Sequence, residues 1–156
     1  MGTPQKADPA IYRKLRENAL KPRPHDIANG GVHAVLMDWN VGNGTATVLA
    51  AADGSASIYL SSGGGYIGGG QKFPEIRDAA LQGIQFATSL LSQFKRSETI
   101  DLPKNGEVFF YLTNNTGLHL AVANEAALKA GTDPLGSLGG IMQQIVSEYR
   151  VRFPAG

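Results

Sequence analysis

Apolar and polar positions follow two different periods along this chain. Residues 32–39, 45–51 and 55–60 are rich in strand formers, and turn signals separate them: Gly42-Asn43-Gly44 and Asp53-Gly54. Two tight turns at that spacing predict three antiparallel neighbours in a meander. From Pro74 the period lengthens. Ile76, Ala79, Ala80, Gly83, Ile84 and Ala87 recur at steps of three and four, which predicts a helix of about 21 residues, long enough at about 1.5 Å each to cross a sheet. Glu75 and Asp78 suit its start, and Lys95 and Arg96 suit its end. Residues 107–113 and 118–122 then flank the turn Asn114-Asn115-Thr116-Gly117 and predict a hairpin. Its first strand is apolar at every position from Val108 to Leu112, a pattern that calls for cover on both faces.

A last helix is predicted after Asp133-Pro134, with Leu135, Leu138, Ile141, Met142 and Ile145 on its apolar side. Gly136, Gly139 and Gly140 weaken its first turns by up to about 1 kcal/mol each relative to Ala. Close packing of that helix against the sheet or a second subunit is the expected compensation.

The first 26 residues read as a basic N-terminal arm with a short helix, followed by a single α+β domain over 27–156. Six basic side chains (Lys6, Arg13, Lys14, Arg16, Lys21, Arg23) face three acidic ones (Asp8, Glu17, Asp26) in the arm. Asp8-Pro9 has the form of an N-cap and first helical residue. Pro22 and Pro24 end the helix. Its charges are expected in water, or offered to an acidic partner.

The order is therefore helix, three strands, long helix, two strands, helix. This is α+β, with a five-stranded antiparallel sheet covered by helices on both faces. In that order of elements the chain resembles the profilin-like architecture, which includes profilins and the roadblock (dynein-light-chain-like) and longin families. The resemblance covers roughly residues 9–150 and is one of element order, not of motif. It implies a non-enzymatic platform that binds other proteins or serves in regulation, often as a homodimer, and it carries over no individual site residue.

Composition narrows the chemistry. The chain has 156 residues, 20 of them Gly, and no Cys. That length suits one domain, and a disulfide scaffold or a cysteine-bound metal is excluded. A net charge of +1 gives no general grip on nucleic acid. No apolar run reaches the ~20 residues that span a bilayer. The opening residues carry no apolar signal core, so the expectation is a cytoplasmic protein.

No constellation points to catalysis, a cofactor or a metal. His25, His33 and His119 lack the spacing of a metal site, although His33 and His119 fall on strands that could be neighbours. Ser62, His33 and Asp38 make a triad only on paper, because residues five apart on one strand face opposite sides. Trp39 is expected to pack at the sheet edge. Suspicion falls on the glycine run. Gly63, Gly65 and Gly68 match the spacing of a dinucleotide fingerprint, but they follow a hairpin meander instead of a parallel βαβ unit. The candidate contact surface for a ligand or partner is Ser62, Gly63, Gly64, Gly65, Tyr66, Gly68, Gly69, Gly70 and Lys72, with Ser61 in support. The alternative function is a small-molecule or anion-binding protein or enzyme that uses this loop. Tyr66, between glycines, is either tucked into a neighbouring surface or offered to a partner.

Overall fold

The structure, a computed structural model, describes residues 9–21, 31–42, 44–66 and 69–153. The remainder of the arm with Asp8, and also His25, Asn43 and Gly68, lie outside the described residues. Helix α1 (Pro9–Ala19) leads to a meander of β1 (Val32–Asn40), β2 (Thr45–Ala51) and β3 (Ala56–Leu60). The two-residue strand β4 (Gly65–Tyr66), a 3-10 turn (Gly69–Gln71) and helix α2 (Pro74–Ser89) follow. After a second 3-10 turn (Leu91–Gln93) come β5 (Lys95–Arg96), β6 (Glu107–Asn114), β7 (Gly117–Asn124), α3 (Glu125–Ala130) and α4 (Gly136–Arg152).

The fold is α+β, with one antiparallel sheet in the order β4-β3-β2-β1-β6-β7-β5. It has seven strands where the pattern predicts five. The two additions are two residues long, too short to show a period, and both arise from tertiary pairing. Gly65 and Tyr66 pair with Tyr59 and Ile58; Lys95 and Arg96 pair with Leu120 and His119. The long helix is also shorter than expected. It stops at Ser89, where the Thr88 and Ser89 hydroxyls bond the carbonyls of Ile84 and Phe86 at 2.8 and 2.9 Å. Such side-chain bonds compete with continued helix. Lys95 and Arg96 therefore extend the sheet instead of closing a helix. His33 and His119 are not on neighbouring strands, because β6 lies between β1 and β7.

Alternation assigns the two faces. Val35, Met37, Val48, Phe110 and Leu112 share one face and cluster with Ile76, Ala80, Leu138, Met142 and Ile145 of α2 and α4. Gly83 lets α2 lie close to both neighbours: a Cβ there would sit 3.5 Å from Ala50 and 3.6 Å from Met142. Arg152 ties the helices together, pairing with Glu75 at 2.8 Å and Glu148 at 2.7 Å. On the opposite face Leu36 and Tyr111 cluster with Leu20. The strand predicted to need two covers thus finds both within one chain.

Helix α1 closes that second face with a polar core: Arg13, Lys14 and Glu17 stand exposed, as expected, and Arg16 alone of its charged residues is buried. Asp38 is 0 % exposed and Arg16 only 5 %. Arg16 Nη2 and Nε donate to Asp38 Oδ2 at 2.7 and 3.1 Å. Its remaining donors reach the carbonyls of Ile100 at 2.6 Å and Asp101 at 3.1 Å, and its guanidinium lies over the Tyr111 ring at 5.3 Å. The Thr47 hydroxyl bonds Asp38 Oδ1, and the Tyr12 hydroxyl bonds Thr47 at 2.7 Å. Burial pushes the Asp38 carboxyl above its ordinary range, and the hydrogen bonds and charge of Arg16 hold that rise in check.

Two outcomes follow from this packing. Arg16→Ala leaves a carboxylate buried without its partner, and urea denaturation should show a loss of about 3–5 kcal/mol. Burial also pushes the Tyr111 and Tyr149 phenols from 10.0 up to about 12. Because the folded values are the higher ones, the stability they contribute is complete below pH 10 and falls as pH rises toward 12, by about 1.4 kcal/mol per unit for each phenol. Tyrosinate absorbance and circular dichroism should therefore change together across that window, not in separate steps.

Candidate functional site

The glycine run is built into the fold. Gly65 has φ +149, and a Cβ there would collide with the Ile58 carbonyl across the β3–β4 ladder. A Cβ on Gly70 would strike the Gly54 carbonyl, and one on Gly69 would strike the Tyr149 ring. Tyr149 is the post around which the segment is wound. Its hydroxyl donates to the Ala56 carbonyl at 2.6 Å and accepts from the Gly69 amide at 2.7 Å. Tyr66 is half-buried. Its ring stacks on Tyr149 at 4.9 Å and on Phe153 at 5.5 Å, and its hydroxyl donates to the Phe153 carbonyl at 3.2 Å.

Of the two readings of Tyr66, the structure thus places the ring against a neighbouring surface. Gly63 and Gly64, both at positive φ, carry the bend after β3. Ser62 and Lys72 are exposed. Ser61 turns inward, where its hydroxyl accepts from the Thr45 amide at 2.8 Å. The described residues of the predicted set therefore stand together around the β3–β4 bend, and close packing accounts for Gly65, Gly69 and Gly70.

A different concave surface lies at the far end of β1. It encloses about 430 Å³. Met37 and Trp39 of β1 and Val108 of β6 line it from the sheet. Glu125, Leu128 and Lys129 line it from α3, and Gly136, Gly139, Gly140 and Gln143 from α4. Trp39 is half-buried on the central strand β1, not at the sheet edge.

Local chemistry places both helical walls. Asn124 caps α3 by accepting from the Ala127 amide at 3.1 Å, and Gly131, at φ +74, ends it. Asp133 Oδ1 accepts from the Leu135 amide at 2.9 Å and turns the chain into α4. Asn124, Glu125, Lys129 and Gly131 form a readable cap, acidic start, basic end and stop. This signal could have revealed α3, and with it the groove.

The α4 glycines divide. A Cβ on Gly139 would meet Leu128 and Phe110 at 3.6 Å, an ordinary packing contact. At Gly136 and Gly140 a Cβ would meet nothing within 4 Å. Within the chain, then, close packing is met at Gly139 and not at Gly136 or Gly140. Those two sit one helical turn apart and border the open groove. Neither needs glycine for its backbone, since both have ordinary helical φ.

The titratable groups elsewhere do not converge on this groove. Asp38 is held by Arg16 on the opposite face. His119 bonds Thr116 and Asn114 at 3.0 and 3.2 Å, and burial and Arg96 push its pKa down. Among the described residues no group of three or more His, Asp or Glu side chains could hold a metal, and no helix is long and apolar enough to cross a membrane.

Opposite outcomes are expected for two glycine substitutions. Gly140→Ala should raise stability by about 0.5–1 kcal/mol, because Ala is the better helix former and its methyl enters open space. Gly70→Ala should lower it, because the methyl meets backbone that cannot move aside. Thermal unfolding of the two variants reads both. No family model matches this chain, and neither curated proteins nor solved structures show a significant match to it.

Proposed function

We propose that the chain is a non-enzymatic regulatory or interaction domain that works by binding, and that its working surface is the groove between the sheet, α3 and α4. The observation that carries this reading is the pair Gly136 and Gly140. Each costs helix stability relative to Ala, and a Cβ at either would meet nothing within 4 Å. What their absent side chains preserve is the groove itself. Its volume of about 430 Å³ exceeds what one partner side chain fills and lies within the usual range for small-molecule sites, about 300–1,000 Å³.

The lining favours binding over catalysis. Met37, Trp39, Val108 and Leu128 supply an apolar body, while Glu125, Lys129 and Gln143 supply one carboxylate, one ammonium and one amide. That set contains no Ser, Thr or Cys nucleophile and no His. The order of elements and the helices on both faces support describing the architecture as profilin-like. A homodimer belongs to the same proposal, but its support shifts. Strand β6 is covered within one chain, whereas Val122 on neighbouring β7 is 54 % exposed. Ser62 and Lys72, exposed beside the β3–β4 bend, support a second contact surface there.

A thermal-shift screen with compact apolar and aromatic compounds tests the groove. Compounds at a hundredfold excess over Kd should stabilise the wild type by about 2.7 kcal/mol and leave Gly140→Leu, whose side chain fills the space, unmoved. Equal shifts in both proteins would overturn the groove reading. Sedimentation of the same samples reads the dimer, and a monomer at micromolar concentration would remove it.

A further inference from the structure

We propose that the sheet face beneath α1 is a docking site for an amphipathic, arginine-bearing helix of a partner protein, and that α1 is the resident helix which the partner displaces. This site lies on the opposite face of the sheet from the groove, and neither reading depends on the other.

Helix α1 is seated as a helical ligand is seated. Among the described side chains of α1 and the turn after it, Tyr12, Arg16 and Leu20 are the buried ones, at steps of four. Arg13, Lys14, Glu17 and Asn18 face water. That spacing is how an amphipathic helix anchors in a groove. The middle anchor has a cradle of its own. Asp38, 0 % exposed, accepts the fork of Arg16 on Oδ2 at 2.7 and 3.1 Å. The carbonyls of Ile100 and Asp101 accept at 2.6 and 3.1 Å, and the Tyr111 ring lies 5.3 Å from the guanidinium carbon. A carboxylate, two carbonyls and a ring face together fit a planar guanidinium, with its donors in a fixed fork and its flat face free to stack. A lysine ammonium, a compact point charge, cannot meet all four.

The composition of the face decides how α1 is held. Toward α2 and α4 the strands present hydrocarbon, as at Val35, Val48, Ile58 and Phe110. On the α1 face the register brings Asp38, Thr47, Tyr59 and Tyr111 together. Each of these four carries a polar group that water satisfies once α1 has left, whereas uncovered hydrocarbon finds no such compensation. The Arg16–Asp38 pair fixes the position of α1 more than it adds stability, because desolvation offsets much of its attraction. A helix of 11 residues is marginal by itself in water, so these anchors are what hold it in place. The covalent link to β1 runs through residues 22–31, and so short a link keeps α1 at a local concentration on the order of mM. The α1 of a second copy is identical and gains nothing over the linked one at micromolar protein. The displacing helix therefore belongs to a partner that brings contacts of its own.

The probe is a fluorescein-labelled peptide of residues 8–21, titrated by anisotropy into the full chain. The chain is used as wild type and as Arg16→Lys, which keeps a positive charge beside Asp38 but loses the fork. The peptide should bind Arg16→Lys saturably and at least about tenfold more tightly than wild type, because the resident helix there competes less well. The same peptide carrying Arg16→Lys should bind at least about tenfold more weakly than the arginine form. Should the chain variant fold poorly, hydrogen exchange in the wild type reads the same displacement. Millimolar unlabelled peptide should speed exchange of the amides of residues 13–20 severalfold and leave those of β6 unchanged. Equal affinity for the arginine and lysine peptides would overturn the proposal. So would absence of saturable binding to folded Arg16→Lys, or α1 amides that exchange only together with β6 whatever the peptide concentration. Self-association of the wild-type chain at micromolar concentration that Arg16→Lys abolishes would make a second copy the occupant and overturn the external partner.

Discussion

Strand β6 sets the constraint that organises the molecule. Its residues are apolar on both faces, so it must sit inside a sheet with cover above and below. The two faces meet that demand in different ways. Toward α2 and α4 the cover is hydrocarbon, with Phe110 and Leu112 in one continuous cluster with both helices. Toward α1 it is a guanidinium. Arg16 spreads over the Tyr111 ring and spends its donors on Asp38 and two loop carbonyls. Tyr111 in turn donates to the Asp101 carbonyl at 2.6 Å, which fixes the loop that supplies those carbonyls. A short amphipathic helix could have been laid on this face by oil alone. Here its place is specified by an ion pair that tolerates little displacement.

That difference between faces explains where a binding surface can exist. The α1 face is sealed at its centre by groups that satisfy one another. The α2/α4 face is closed around Tyr149 and Met142, but it opens where α3 and the start of α4 meet the end of β1. Glycines act in opposite senses at the two ends of this layer. At Gly65 and Gly70 they let backbone approach backbone, and at Gly69 they let it approach the Tyr149 ring. At Gly136 and Gly140 they keep side chains out of an open space.

Much of the framework was legible along the chain. The meander, the β6–β7 hairpin and the two long helices all announce themselves through period and turn chemistry. Strands β4 and β5 do not, since two residues carry no period and their pairing depends on what the rest of the sheet offers. The end of α2 is not legible in the sequence, because Leu90, Leu91 and Phe94 continue its apolar spacing after the hydrogen-bonded helix has stopped at Ser89. The candidate site was legible only in part. A run of six glycines within 63–70 is conspicuous in a sequence, yet close packing accounts for three of them. Two of the three glycines in α4 border the groove, and Trp39 was visible only as an isolated aromatic near a strand end.

What the sequence by itself determined is the class of fold: an antiparallel sheet with a doubly apolar strand, helices to cover it, and the turns between them. Those features depend on local backbone preference and on the spacing of apolar side chains, both of which a linear pattern records. Tertiary structure alone decided which glycines are filled and which are open, and whether Arg16 meets water or Asp38. Each of these depends on atoms distant along the chain: Asp38 lies 22 residues from Arg16, and Tyr149 lies 80 residues from Gly69. A glycine has the same letter whether it makes room for a carbonyl or for a ligand, and only the neighbours that folding brings to it tell the two apart.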